Sequence, residues 1–405
     1  MEPNSFLDSA FQLAKDNIDK SFIGDESVKK NLQLIVSCPT KAPVRILLTA
    51  MMVKLFKPEL DIRKPFKEPV KKKVKKKKGE IEIFSSEGIV DPDDSYSGRN
   101  YDESYVSNFI LNHKFEVTKT TGFLTPAFRT KNGILERDTE LNGKHPAAYT
   151  AVLGLLNDVH DNVLKGGPIL NELVRLLIVQ RDKNREAIST KLEQLELVES
   201  DSFVPLSSEN IVNLIKGQFD IAGASRLPVL LVTAAYNCIE GKLGEKVLPL
   251  NAHNAADSQT GSLGDVEVTL RSDDEIVTVY EMKMKRVIDT DILGALTKLV
   301  GRKKIDNYIF ITTDVIDPIV QSQARDLYTK YGVEFVILDC IGFVRHFLHL
   351  FHRHRVDFLN AYQKLILSEP PNTVPQTQKE LWLAARLAAE SRNNEMYNQG
   401  QDEPE

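Results

Sequence analysis

The chain has 405 residues, of which 52 are Lys or Arg and 57 are Asp or Glu, so its formal net charge is −5. Its 42% hydrophobic and 27% charged residues are typical of a soluble globular protein with a large core, and the length allows two or three domains. No run approaches the ~18 apolar residues of a membrane span. The N-terminus lacks a signal-peptide pattern, and the three cysteines lie too far apart for a zinc spacing. We therefore expect an intracellular protein with no membrane partner and no structural metal.

Residues 1–200 are predicted to form a mostly helical N-terminal region. Apolar residues recur at helical spacing in Val44–Phe56, Leu153–His160, Ile169–Arg181 and Ala187–Glu199. The size of this region suggests a role in DNA recognition or dimerisation if the rest of the chain acts on DNA.

Residues 64–78 interrupt the helical pattern with two prolines and then seven lysines between Lys71 and Lys78. Like charges at this density repel one another, so we expect a basic loop over 64–78, followed by a short strand over Glu80–Phe84. The lysines suit a salt-sensitive DNA clamp or a solvated loop, and both readings stay open. Because charge acts locally, the overall −5 does not exclude a polyanionic partner.

From residue 205 the pattern alternates between helix and strand and predicts a second domain core over 205–365. The predicted helices are 227–240, 291–304, 319–331 and 342–367, and the predicted strands are 265–270, 276–285, 308–312 and 333–338. This order indicates an α/β (α+β) fold with a short mixed central sheet flanked by helices. Residues 370–405 are rich in Pro, Gln, Asn and Glu and are predicted to be a flexible C-terminal tail.

Three charged residues of the predicted hairpin form the candidate site. Asp265 opens one strand in GDVEV (264–268), and Glu281 and Lys283 lie two apart in YEMKMK (280–285). Strand periodicity places Glu281 and Lys283 on one face, and pairing of the two strands would bring Asp265 beside Glu281. Two adjacent carboxylates suit a hard cation such as Mg²⁺, and a nearby lysine can stabilise charge on a phosphate. The alternative, in which these residues have only a structural role, is a surface hairpin with a cross-strand ion pair.

This arrangement resembles the PD-(D/E)xK nuclease superfamily, with Gly264 in place of the proline before the first acid. Three further stretches extend the likeness: SGRNYDESYVSNFI (97–110), TTGFLTPAFR (120–129) and LNAHNAADSQTGSLGDVEV (250–268). Together they look like the SacI-type family of type II restriction endonucleases, over most of residues 40–365. The resemblance implies a restriction-endonuclease-like core, with Asp265 and Glu281 as metal ligands and Lys283 as the catalytic lysine. It also implies in-line attack by an activated water, leaving 5′-phosphate ends.

The resemblance adds one possible site residue, and residue chemistry adds others. Some members of the superfamily take a further acid from the preceding helix, for which Glu240 is the candidate and Glu267 the competitor. Side chains that suit base or phosphate contacts are Arg99, Asn254, Gln259, Lys285 and Arg286. For Arg99, pairing with Asp102 or Glu103 in a structural loop is the alternative. Histidines 346, 349 and 352 form a stripe that could bind zinc, although a DNA-facing or solvated helix face is favoured.

The expected function is thus Mg²⁺-dependent, sequence-specific hydrolysis of double-stranded DNA by a type II restriction endonuclease. Cutting both strands of a symmetric site requires two active sites, so we expect a homodimer. A cognate DNA methyltransferase is the expected genetic partner, in the cytoplasm of a bacterial or archaeal cell. The alternatives are a repair or structure-specific nuclease on the same core, and a catalytically inactive DNA-binding protein.

Overall fold

A computed structural model describes residues 2–39, 41–65, 73–77, 80–84, 94–117, 134–141, 145–200, 204–250, 262–272, 275–299, 305–371 and 373–401. The chain divides into two compact units, residues 1–186 and 187–405. The division falls within one long helix, Gly166–Ser200, for which the sequence predicted two separate helical segments. The predicted boundary near residue 200 therefore lies at the end of this helix, and the first unit ends within it.

The first unit is mostly helical in its described residues. Its helices are α1 (Pro3–Asp16), α2 (Glu26–Ser37), α3 (Ala42–Phe56), α4 (Gly98–Tyr101), α5 (Ser107–Asn112), α6 (Pro146–His160) and the first part of α7 (Gly166–Ser200). Helix α3 is apolar on all sides and is buried from Ala42 to Val53, so it forms the centre of the core of this unit. A π-helical turn, Asp102–Val106, joins α4 to α5, and its Asp102 forms a buried ion pair with Arg45 of α3 at 2.8 Å.

Part of the predicted basic loop is a strand. Lys73–Lys77 (β1) pairs antiparallel with β2 (Glu80–Phe84), so the prediction of a loop throughout 64–78 is wrong for these residues. The register places Lys75 opposite Glu82 and Lys77 opposite Glu80. The prediction considered repulsion among the lysines alone and not the backbone pairing of this segment with the strand that follows it. Residues 66–72, 78 and 79 lie outside the described residues.

The second unit contains a five-stranded mixed sheet with strand order β3–β4–β5–β6–β7. The strands are β3 (Glu245–Val247), β4 (Val266–Leu270), β5 (Ile276–Lys283), β6 (Asn307–Thr312) and β7 (Glu334–Asp339). Strands β3, β4 and β5 pair antiparallel, whereas β5, β6 and β7 pair parallel. The sequence predicted β4 to β7 close to these bounds, and it missed the three-residue edge strand β3.

Helices cover both faces of this sheet. The parallel strands are connected by α10 (Asp289–Leu299) and α11 (Pro318–Tyr331), and the remaining helices of the unit are α8 (Ser208–Phe219), α9 (Leu227–Cys238), α12 (Cys340–Leu350), α13 (Arg355–Ser368) and α14 (Gln376–Gln401). Alternate strand residues belong to different cores: Tyr280 and Ile311 pack with α9 and α12, whereas Val279 and Phe310 pack with α10 and α11. The predicted mixed α/β class, with a central sheet flanked by helices, is confirmed.

The C-terminal part differs from the prediction in two respects. The helix predicted over 342–367 is two helices, α12 and α13, separated by a 3₁₀ turn at His352–His354. Because α12 packs on α8 while α13 packs on α9, the chain must change direction between them. The predicted flexible tail over 370–405 is wrong for α14, which buries Trp382 and Leu383 in the core of the unit. The polar composition of residues 370–405 suggested a tail, because the few buried residues of this helix are a small part of it.

The sequence predicts no membrane-spanning helix. Among the described residues, every helix is too short or too polar to traverse a bilayer.

Candidate active site

The β4–β5 hairpin brings the two candidate metal ligands together. Val266 pairs with Tyr280, so continuing the antiparallel register places Asp265 opposite Glu281. The backbone N–H of Asp265 donates to the carbonyl oxygen of Tyr280 at 2.8 Å, and the N–H of Met282 donates to Asp265 Oδ2 at 2.7 Å. The carboxylate of Asp265 therefore lies against the part of β5 that carries Glu281.

Gly264 permits this close approach. A Cβ atom at position 264 would lie 2.5 Å from Val279 Cγ1 and 2.7 Å from the carbonyl oxygen of Tyr280. The backbone oxygen cannot move aside without disturbing the hairpin, so only glycine fits here. In the sequence this glycine is only a departure from the proline expected before the first acid.

Lys283 lies beside Glu281 on the same face of β5. Its Nζ atom is 3.4 Å from Glu281 Oε1 and 3.1 Å from Asp291 Oδ1, at the start of α10. The side chain of Glu281 is 18% exposed and that of Lys283 is 29% exposed, so both are half-buried yet reachable from solvent. This exposure suits groups that hold a cation or contact a phosphate.

The opposite oxygen of Glu281 has two further neighbours. Lys298 of α10 donates to Glu281 Oε2 at 3.2 Å, and the hydroxyl of Tyr308 on β6 lies 3.1 Å from the same oxygen. Sequence reasoning missed Asp291, Lys298 and Tyr308. Asp291 and Lys298 are seven residues apart and so share one face of a helix, but that spacing does not reveal which strand the face meets.

Opposing effects act on the pKa of Lys283. Burial by itself lowers it, but the hydrogen bond to Asp291 and the negative charge of Glu281 outweigh burial, and the pKa lies above its usual value. Lys283 is therefore a stable cation at neutral pH and acts as a charge and hydrogen-bond donor.

The donor set fits a magnesium ion. Mg²⁺ is commonly bound through one or two carboxylates, with water and substrate oxygens completing the shell. Asp265 and Glu281 are two such carboxylates, placed opposite each other. In the part of the chain that the structure describes, no group of three His, Cys, Asp or Glu side chains is arranged to hold a metal. A cation here would thus depend on these two carboxylates, with the rest of its shell supplied by water, substrate or other oxygen atoms.

Of the two candidates for a further acid, Glu240 lies away from the site, whereas Glu267 lies near it and is engaged by the segment before Asp265. Glu240 follows α9 and pairs with Arg271 at 3.8 Å, beyond the far end of β4. At about 3.3 Å per strand residue, Arg271 lies roughly 20 Å along the strand from Asp265. Glu267 accepts hydrogen bonds from Ser262 Oγ at 3.0 Å and from the N–H of Leu263 at 2.6 Å, so it organises the segment before Asp265.

The predicted DNA contacts are placed as follows. Lys285 is exposed just beyond β5, and Arg286 forms an ion pair with Asp317 at 3.5 Å, so both lie near the site edge. Arg99 belongs to the first unit and pairs with Glu103 at 2.8 Å, in agreement with the structural alternative. Asn254 and Gln259 lie outside the described residues.

The histidine stripe is placed on α12 and the turn that follows it. His349 lies 3.2 Å from Glu209 of α8, which also pairs with Arg345 at 2.8 Å. His346 and His352 are exposed. The contacts of His349 and Arg345 are those of a solvated helix face.

Comparison with known proteins adds no family or relative. No family model matches the sequence, and no curated protein matches it. The functional inference therefore rests on the geometry of the site.

Proposed function

We propose that this protein is a type II restriction endonuclease that hydrolyses double-stranded DNA at a specific sequence, with Mg²⁺ as its cofactor. The second unit is proposed to be a PD-(D/E)xK nuclease core. The first unit, residues 1–186, is proposed to serve site recognition or dimerisation, and the active species is proposed to be a homodimer. A DNA methyltransferase of matching specificity would protect host DNA in the cytoplasm of a bacterial or archaeal cell.

The observation that carries the proposal is the position of Asp265 opposite Glu281, with Lys283 at 3.4 Å from Glu281. Two carboxylates and a lysine on paired strands are the groups that metal-assisted phosphodiester hydrolysis requires. They also occur within the element order α9–β4–β5–α10–β6, with β3 as an added edge strand. An ordinary surface hairpin does not need two carboxylates held side by side at a half-buried position.

The roles of the residues follow from their contacts. Asp265 and Glu281 would hold the cation, and the hydrogen bond from Met282 fixes the orientation of the Asp265 carboxylate. Lys283 would donate to a non-bridging oxygen of the scissile phosphate and stabilise its growing negative charge. When bound, Mg²⁺ would supply activation of the attacking water and further neutralisation of the phosphate. Lys285 and Arg286, at the end of β5, are proposed to contact the DNA backbone.

The test is end sequencing of cleaved DNA. Purified protein is incubated with a mixture of phage genomes and Mg²⁺, and the fragment ends are sequenced, with Asp265→Asn protein purified in parallel as the control for contaminating nucleases. Discrete fragments with 5′-phosphate ends that share one short palindrome are expected. A smear, or cleavage at junctions alone, would indicate a repair or structure-specific nuclease. Intact DNA that is retarded in a gel would indicate an inactive DNA-binding protein.

A further inference from the structure

Four side chains of alternating charge form a continuous chain at the site. Lys298 contacts Glu281 at 3.2 Å, Glu281 contacts Lys283 at 3.4 Å, and Lys283 contacts Asp291 at 3.1 Å. The two inner members belong to β5 and the two outer members to α10. Glu281 and Lys283 of the strand are thus each paired with a helix residue of opposite charge.

The order of the contacts follows from the geometry of the β5–α10 connection. Asp291 and Lys298 are seven residues apart, which places them on one face of α10 about 10.5 Å apart along the helix axis. Glu281 and Lys283 are two residues apart and share one face of β5. Because α10 runs back along the strand that precedes it, its first turn meets Lys283 and its last turn meets Glu281.

Lys298 contacts the oxygen of Glu281 that faces away from Lys283. Its Nζ atom donates to Glu281 Oε2 at 3.2 Å and lies 3.4 Å from the carbonyl oxygen of Leu263. The Tyr308 hydroxyl lies 3.1 Å from the same Glu281 oxygen. The same hydroxyl lies 2.9 Å from the carbonyl oxygen of Leu263. Loss of the lysine therefore removes the positive charge beside this oxygen of the carboxylate.

Asp291 places a negative charge at the site, where Lys298 places a positive one. It contacts Lys283, and its own carboxylate is fixed by the backbone N–H of Ile288, which donates to Asp291 Oδ2 at 3.0 Å. Its negative charge offsets the charge of Lys283 and adds to the negative potential of the Asp265–Glu281 pair. Loss of this charge leaves Lys283 less neutralised and makes the site less attractive to a cation.

We propose that α10 sets the cation affinity of the Asp265–Glu281 pair through two positioning residues of opposite effect, Lys298, which weakens cation binding, and Asp291, which strengthens it. This inference rests on the proposed function only in assigning the cation to Asp265 and Glu281. Two groups on one helix face would thus keep the affinity in an intermediate range, in which the cation and the substrate phosphate bind together.

The experiment measures binding of Mn²⁺ alone, by electron paramagnetic resonance of the free ion, at low ionic strength and without DNA. Lys298→Met is expected to tighten the Kd about five- to tenfold, and Asp291→Asn to weaken it by a similar factor, since each removes one unit charge a few ångströms from the ion. The double variant is expected to return close to the wild-type Kd. Lys298→Arg keeps the charge and is expected to stay within about twofold of wild type.

Charge-matched controls lie on α11, where Asp326 and Lys330 are exposed. Asp326→Asn and Lys330→Met are expected to leave the Kd unchanged, and thermal unfolding of every variant checks that the fold is intact. If both α10 variants shift the Kd in the same direction, or neither shifts it, the inference is overturned while the proposed function stands. If wild type binds no more Mn²⁺ than the Asp265→Asn/Glu281→Gln variant, both the inference and the proposed metal site are overturned.

Discussion

Gly264 and Tyr280 approach each other so closely that no side chain fits between them. A Cβ atom at position 264 would lie 2.7 Å from the carbonyl oxygen of Tyr280, which already accepts a hydrogen bond from the N–H of Asp265. The position of the Asp265 carboxylate therefore depends on a residue that carries no functional group of its own.

Gly264→Ala tests this dependence. The added methyl group must push β4 away from β5, and a displacement of about 1 Å at a catalytic group can lower the rate about a hundredfold. We expect such a loss in the initial rate of DNA cleavage, with a decrease in stability of about 1–3 kcal/mol. Gly294→Ala is the control, because a Cβ there meets nothing within 4 Å and alanine favours the helix. Equal cleavage by Gly264→Ala and wild type would show that the close approach does not position Asp265.

Substitution of the carboxylates distinguishes the acids of the site from other acids of the chain. Asp265→Asn and Glu281→Gln keep the shape of each side chain but remove the charge that would hold the cation, so we expect cleavage to be lost in both. Glu240→Gln should retain full cleavage, because Glu240 pairs with Arg271 at the far end of β4. Circular dichroism of each protein checks the fold. The assignment fails if Glu240→Gln is inactive and the other two variants are active.

Lys283→Gln removes the cation proposed to stabilise the phosphate. Loss of one such donor typically lowers kcat by about 10²–10³. The raised pKa of Lys283 keeps the group charged well above neutral pH, so the loss relative to wild type should be equal at pH 7 and pH 9. Lys285→Gln, two residues further along at an exposed position, should change the rate less than threefold and reduce only the salt dependence of binding. A loss that vanishes at pH 9 would contradict a permanently charged Lys283.

Trp382→Ala tests whether α14 is part of the second unit. Trp382 is 1% exposed and packs edge-on against Tyr362 at 4.9 Å between ring centroids. Truncation of a buried tryptophan costs about 3–5 kcal/mol in the free energy of unfolding, to be measured by urea titration with circular dichroism. Met396→Ala on the same helix is the control, because Met396 is 67% exposed and its loss should change stability by less than about 0.5 kcal/mol. Equal stability of the two variants would mean that α14 does not anchor to the core.

The amino-acid sequence by itself determined the local parts of the candidate site. Alternation along β5 places Glu281 and Lys283 on one face, and the short connection between β4 and β5 makes their antiparallel pairing the simplest arrangement. These features involve residues close in the chain, for which periodicity and turn composition are sufficient.

Only the tertiary structure decided which other side chains meet these three. Asp291, Lys298 and Tyr308 join the site because one face of α10 and one residue of β6 pack against β5, and no spacing in the sequence specifies that contact. Glu240 is the opposite case. The helix it follows directly precedes the hairpin strands in the predicted order, yet Glu240 lies at the end of β4 away from Asp265. Residue type and periodicity thus determine what a strand can present, whereas the packing of helices on the sheet determines the charges that surround it.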